Sequence, residues 1–335
     1  VAVFSVGAVS FSSKVLLPIL YALLSGGLSA VALIVLQYFA ESKEKRFIQK
    51  TFAYYLVPEV IDELLKDPSK LRLGGEKRKV TIFFSDIRGF TTISEKLSAE
   101  ELTHLINEYL TAMTDIIMED KGLVDKYIGD AIMAFWGAPV ANPNQAKDAA
   151  RSVLKMSTKL VELNKVWEAR GVPTLGIGAG LNTGEVVVGN MGSEKRFNYT
   201  IMGDQVNFGS RLEGITKQYG VQCIVSESTA LEIMDDPEFV IRELDLVMVK
   251  GKKEPKKIFE LLTKPVTNVV RQQLLHFKEG KEAYNGGRWD EAISHFKKAL
   301  SLGEDGPSSA FIERCQYLKE HPPEEWNGVY EFKTK

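Results

Sequence analysis

Lys79-Val80-Thr81-Ile82-Phe83-Phe84-Ser85-Asp86-Ile87-Arg88-Gly89-Phe90-Thr91 is a β-branched and aromatic run that stops at a carboxylate and then a glycine. Such a run predicts a strand that delivers Asp86 to its end. Further on, Lys126-Tyr127-Ile128-Gly129-Asp130-Ala131-Ile132-Met133-Ala134-Phe135-Trp136 consists of two apolar runs joined by a Gly-Asp pair. That pattern predicts a two-residue hairpin with Asp130 at its tip. Singly, each feature has a structural explanation, a helix cap in one case and ordinary turn chemistry in the other. Side by side in one sheet, the two carboxylates make a hard-oxygen site suited to a divalent cation, with substrate phosphates completing the coordination. Without a cation the pair repels itself.

Outward from this stretch, 335 residues leave room for a full catalytic domain with additions at either end. The net charge of −2 gives no bulk electrostatic argument for binding nucleic acid. Cys223 and Cys315 are the whole cysteine content, too far apart to form a disulfide framework or a metal-ligand spacing, which suits a reducing compartment. His104, His276, His295 and His321 are scattered and never at ligand spacing, so they are assigned surface or packing roles rather than a zinc site.

The sequence begins at Val1 without an initiating Met and is read as a piece of a longer protein, with a sensor domain possible upstream. Val15 to Ala40 carries no charge and is rich in Leu, Val, Ala and Ile, which predicts a transmembrane helix. Lys43, Lys45, Arg46 and Lys50 follow the span against Lys14 before it, which places the C-terminal side in the cytoplasm. The expected localisation is therefore the membrane, with the catalytic domain cytoplasmic. Glu41 to Lys66 reads as an interrupted helix with Pro58 in the first turn of its second part, and Pro68 with Gly74-Gly75 stops it. The resulting division is 1–40 membrane, 41–77 juxtamembrane linker, 78–264 catalytic domain and 265–335 helical tail.

Within the catalytic domain, Ala99 to Glu119 and Gln145 to Ala169 are helical patterns, the first with Leu102, Leu105, Ile106, Leu110, Met113, Ile116 and Ile117 on its core face. Leu175 to Leu181 and Glu185 to Asn190 are expected to form a hairpin joined at Asn182-Thr183-Gly184. Gly176-Ile177-Gly178-Ala179-Gly180 lies inside a strand with no helix after it, so it is not a dinucleotide fingerprint. The β-α-β-β-α-β order with appended strands predicts an α+β, ferredoxin-like arrangement.

From roughly Arg78 to Leu262 these motifs resemble the class III nucleotidyl cyclases. Phe84 to Thr91 is similar to the family's first metal motif and Lys126 to Asp130 to its second. The resemblance implies that Asp86, Asp130 and the Ile87 carbonyl hold two Mg²⁺ or Mn²⁺ ions. Thr200 to Arg211 resembles the motif for base recognition and transition-state groups, which implies that Asn207 orients the ribose and Arg211 stabilises the α-phosphate. Val249-Lys250-Gly251-Lys252 resembles the phosphate-binding lysine motif, with Lys250 as its lysine and Lys195 and Arg196 as further phosphate candidates. Lys126 and Thr200 stand where the family reads the base, and both resemble the ATP-using members; Thr200 in particular resembles a bicarbonate-responsive subgroup. The implied activity is that of an adenylate cyclase converting ATP to 3′,5′-cyclic AMP. The family's sites are shared across a head-to-tail homodimer, with the aspartates from one chain and the base-reading residues from the other. A guanylate cyclase, or a silent cyclase-like module that only dimerises or senses nucleotide, is the alternative reading.

The tail from about Val269 is helical in pattern. Phe277, Gly280, Tyr284, Gly287, Trp289, Ala292, Ile293, Phe296 and Ala299 resemble one tetratricopeptide-type helix pair, with a third helix near Ser309 to Glu320. One repeat is too little to bury a core alone, so the tail is expected either to cover the cyclase domain or to bind a partner.

Overall fold

The computed structural model describes residues 21, 23–33, 73–248 and 255–329. Two compact units divide the chain, Val1–Lys70 and Leu71–Lys335. In the first, Tyr21 and residues 23–33 are helical and exposed. They are the described part of the predicted span; among the described residues no helix is long and apolar enough to cross a membrane. The remainder of that span and the helix expected over Glu41 to Lys66 lie outside the described residues.

The second unit is built on eight strands, β1 (Gly74–Ile87), β2 (Leu123–Ile128), β3 (Ala131–Trp136), β4 (Ile177–Ser193), β5 (Arg196–Met202), β6 (Cys223–Ser226), β7 (Ile241–Val247) and β8 (Lys256–Leu261). Their order is β2-β3-β1-β4-β6-β8-β7, with β5 paired to β4. Helices α1 (Phe90–Ser94), α2 (Ala99–Glu119), α3 (Gln145–Ala169), α4 (Asp204–Tyr219) and α5 (Glu227–Ile233) connect them. The β1-α2-β2-β3-α3-β4 core, antiparallel at every pairing, is the ferredoxin-like arrangement expected from the sequence, and β6, β8 and β7 extend one edge.

Strand alternation divides the core into two faces. Phe83, Ile87, Ala134, Trp136, Ala179 and Leu181 point to the side covered by α2 and α3, where Tyr109, Met113, Val153 and Trp167 are buried with them. Ile82 and Phe84 point to the other side, against Gly209 of α4. Gly178 and Gly180 sit on that same side of β4: a Cβ at Gly180 would lie 2.5 Å from the Glu213 nitrogen and 2.6 Å from the Gly209 carbonyl oxygen. The alternating glycines are therefore a bare track on which α4 lies flush against the sheet.

Two expectations change. The hairpin predicted at Asn182-Thr183-Gly184 is absent; β4 runs unbroken through those residues, because β1 pairs with it at every position from Gly74 to Ile87. The turn-like polar residues have other partners: the Asn182 amide donates to the Gln205 carbonyl at 2.8 Å, and the Thr183 hydroxyl meets those of Thr81 and Thr229 at 3.0 Å each. β1 also begins at Gly74, inside the stretch read as linker, since Gly75 faces Gly189 and the backbones approach where side chains would collide.

The tail forms α6 (Asn268–Asn285), α7 (Trp289–Ser301) and α8 (Gly306–Glu320) and belongs to the same compact unit as the sheet. Phe277, Tyr284, Phe296 and Phe311 pack with Leu212 and Tyr219 of α4 and with Ile224, Leu244 and Ile258 of the sheet extension. The tail covers its own catalytic domain. The tetratricopeptide likeness of α6 and α7 is one of sequence.

Candidate functional site

The β1–β3 register pairs Ser85 with Ile132, which sets the β2–β3 turn beside the end of β1. Gly129 opens that turn at φ 67°, a left-handed conformation natural to glycine. The two carboxylates converge there: the Ile87 amide donates to Asp86 Oδ1 at 3.0 Å and to Asp130 Oδ2 at 3.2 Å. Burial first, then the hydrogen bond and charge of Asp86, push the Asp130 carboxyl up to about 6, against the pull of the Ile87 amide. Ile87 thus contributes its amide to this contact, whereas its carbonyl is the atom the sequence put forward. Among the described residues no basic side chain forms an ion pair with either aspartate, so the pair has the chemistry of a divalent-cation site with hard oxygen donors.

Glu213, which the sequence reading missed, is a third carboxyl near this pair. It projects from the sheet-facing side of α4, and burial, followed by the charge of Asp86, raises it to about 7 while Arg88 opposes the shift. The Arg88 guanidinium is anchored by the Val221 carbonyl at 2.5 Å. The signal for Glu213 lay in the glycine track: its carboxylate occupies the space that a side chain at Gly178 would fill, a Cβ there lying 2.8 Å from Glu213 Oε1.

Lys126 and Thr200, 74 positions apart, meet in the fold. The Lys126 Nζ donates to Thr200 Oγ1 at 3.2 Å. A second residue that the sequence did not single out holds them together. Thr200 Oγ1 donates to Asp125 Oδ2 at 2.5 Å, and Lys126 Nζ lies 3.1 Å from Asp125 Oδ1. Asp125 is the extra residue of a β-bulge between Val124 and Lys126, so it escapes the strict alternation that would turn neighbours to opposite faces. Its side chain is fully buried.

Asn207 and Arg211, four apart on α4, are both exposed. They lie on the helix face away from Gly209, Glu213 and Thr216, which meet the sheet. Within one chain they point away from Asp86 and Asp130. Lys195 and Arg196 are exposed at the β4–β5 connection, and Lys250 lies outside the described residues.

This chain belongs to the family of adenylate and guanylate cyclase catalytic domains, which residues 75–262 match. It is similar to Adenylate cyclase 1 of Rhizobium meliloti (strain 1021), at 34% identity over 212 residues, 63% of this chain and 32% of the relative. It therefore spans about a third of that relative's length. Among solved structures, the adenylyl cyclase CyaB from P. aeruginosa is 36% identical with a TM-score of 0.53, covering 58% of this chain and 98% of that one. The guanylyl cyclase Cya2 is 37% identical with a TM-score of 0.52, covering 56% of this chain and 94% of that one.

Proposed function

We propose that this chain is an adenylate cyclase that converts ATP to 3′,5′-cyclic AMP and pyrophosphate in a site shared by two copies. In that reaction the ribose O3′ loses its proton and bonds to the α-phosphorus, and the bond from that phosphorus to the β-phosphate bridging oxygen breaks. Two Mg²⁺ or Mn²⁺ ions on Asp86 and Asp130 would supply Lewis acidity and offset the triphosphate charge. Arg211 offers a fixed fork of donors for charge growing on the α-phosphate, and Asn207 a polar contact for the ribose. Lys250 is the proposed partner of the terminal phosphates.

The observation that carries the reading is the meeting of Lys126, Thr200 and Asp125. Because the Thr200 hydroxyl spends its proton on Asp125 and accepts once from Lys126, one lone pair is left to accept, while Lys126 can only donate. Adenine is complementary, since its N1 accepts and its 6-amino group donates. Guanine presents a donor at N1 and an acceptor at O6, and meets both groups badly. This favours ATP where overall similarity does not decide, the two solved cyclases being 36% and 37% identical. A silent module is disfavoured because Asp86, Asp130, Asn207 and Arg211 are all present.

Purified protein given Mn²⁺ with ATP or with GTP, and products identified by mass, tests the proposal: cyclic AMP from ATP with little cyclic GMP is expected. Predominant cyclic GMP, or no product from either, overturns it. The bicarbonate response suggested by Thr200 is checked by assays with and without bicarbonate at constant pH. The membrane span proposed for 15–40 is checked by flotation of the full chain with lipid vesicles.

A further inference from the structure

His276 and Glu279 stand on α6 and His295 on α7, and the fold brings the three together. Both Nδ1 atoms face the same carboxylate oxygen: His276 Nδ1 lies 3.0 Å and His295 Nδ1 2.9 Å from Glu279 Oε2. All three ligand atoms lie within 4.8 Å of one another. The placement is fixed by the core beneath. Each histidine precedes a buried phenylalanine, and the Phe277 and Phe296 rings pack 5.5 Å apart. Gly280 locks the helix register further, since a Cβ there would lie 2.6 Å from the Phe296 ring. The side chains themselves are 22–39% exposed, so the cluster is open to ions from solvent.

We propose that His276, Glu279 and His295 form a second metal site, taking a borderline divalent cation such as Zn²⁺, Co²⁺ or Ni²⁺ and stapling α6 to α7. Bonds of about 2.0–2.1 Å meeting between a right angle and the tetrahedral angle put neighbouring ligand atoms about 2.9–3.4 Å apart. The two nitrogen–oxygen separations already fall in that range. Glu279 offers a carboxylate oxygen that both imidazole Nδ1 atoms already face. Two imidazoles and one carboxylate select against the Mg²⁺ and Mn²⁺ that suit the all-oxygen pair at Asp86 and Asp130. The two sites therefore differ in ligand chemistry as well as in place. Cys223 and Cys315, buried elsewhere, do not compete for the ion.

The test titrates the full chain with Co²⁺ in excess Mg²⁺, so that the aspartates are occupied, and follows visible absorption and bound metal. One Co²⁺ per chain is expected, displaced by Zn²⁺, with Zn²⁺ raising the melting temperature. His276→Gln and His295→Gln should each weaken Co²⁺ binding by at least the roughly 10- to 100-fold that loss of a mere supporting partner costs. Glu279→Gln repeats the measurement from the third ligand, and far-UV circular dichroism checks the fold of each variant. No Co²⁺ bound in the presence of Mg²⁺, or uptake unchanged in folded variants, overturns the proposal.

Discussion

A single carboxylate can decide which purine a site accepts without touching the purine. Asp125 holds the Thr200 proton, and that alone makes the hydroxyl an acceptor. Asp125→Asn offers an amide that can donate instead, freeing Thr200 to donate outward as guanine O6 requires. The expected outcome is a fall of about tenfold or more in the ATP-to-GTP ratio of kcat/KM, a size in keeping with losing one buried hydrogen bond to a charged group. A merely structural role for Asp125 would lower both nucleotides together and leave the ratio alone. At the metal pair the signs differ between activity and stability. Asp86→Asn or Asp130→Asn removes half of a repelling pair, so the metal-free protein should melt no lower than the parent while cyclic AMP formation falls at least 10²-fold. Turnover retained in either variant would defeat the metal assignment. Asp86, Asp130, Lys126 and Thr200 were all legible as motif residues in the sequence. Asp125 and Glu213 were not, because a bulge hides the first and a helix-to-sheet approach defines the second.

Among the elements, the sequence spoke clearly where one period dominated. Ala99–Glu119 and Gln145–Ala169 are helices with the predicted bounds, since an apolar stripe and the Ser98 capping box fix the first and a long apolar face the second. It spoke poorly along β4, where Asn182-Thr183-Gly184 has the composition of a turn. Local propensity yields there to pairing with β1 and to the hydrogen bonds of Gln205. The same strand carries the next prediction. Gly180→Val pushes two methyl-bearing branches into the α4 backbone, which has no flexible atom to yield. Displacing α4 moves Asn207 and Arg211 together, so activity should be lost along with a drop in melting temperature of several degrees; a fully active Gly180→Val protein would show that α4 is not seated by this contact. The tail was legible as helices, with a cover as one of two expectations; the choice between them was not legible, because the docking rests on charges far apart in sequence. Asp245, fully buried in β7, accepts from Tyr219 at 2.6 Å, Lys281 at 2.9 Å and Arg314 at 2.5 Å. Burial alone would raise its carboxyl, but Lys281 and Arg314 outweigh that and hold it below the ordinary value. Asp245→Asn removes the buried carboxylate charge that faces Lys281 and Arg314 and should cost about 3–5 kcal/mol in urea unfolding. A loss below about 1 kcal/mol would mean that water or other groups already satisfy them.

For the molecule as a whole, the disposition of α4 suits the proposed site shared by two copies. Its sheet-facing side brings Glu213 towards Asp86 and Asp130, and so turns Asn207 and Arg211 outward, where a second copy can be met. A closed two-fold pair would then contain two equal sites, each joining the aspartates of one protomer to the α4 face of the other. Complementation separates this from a site within one chain. Asp86→Asn and Arg211→Ala proteins are each inactive alone on either view. Mixed in equal amounts and allowed to exchange, half of the dimers combine both variants, and each mixed dimer has one site with an intact aspartate pair facing an intact arginine. The mixture should recover about a quarter of the parent activity, by the arithmetic of random pairing in a two-fold dimer. Sites built within single chains give no recovery at any ratio. Dilution adds a second reading, because a dissociating pair loses specific activity as concentration falls, and the recovered fraction should decline along the same curve.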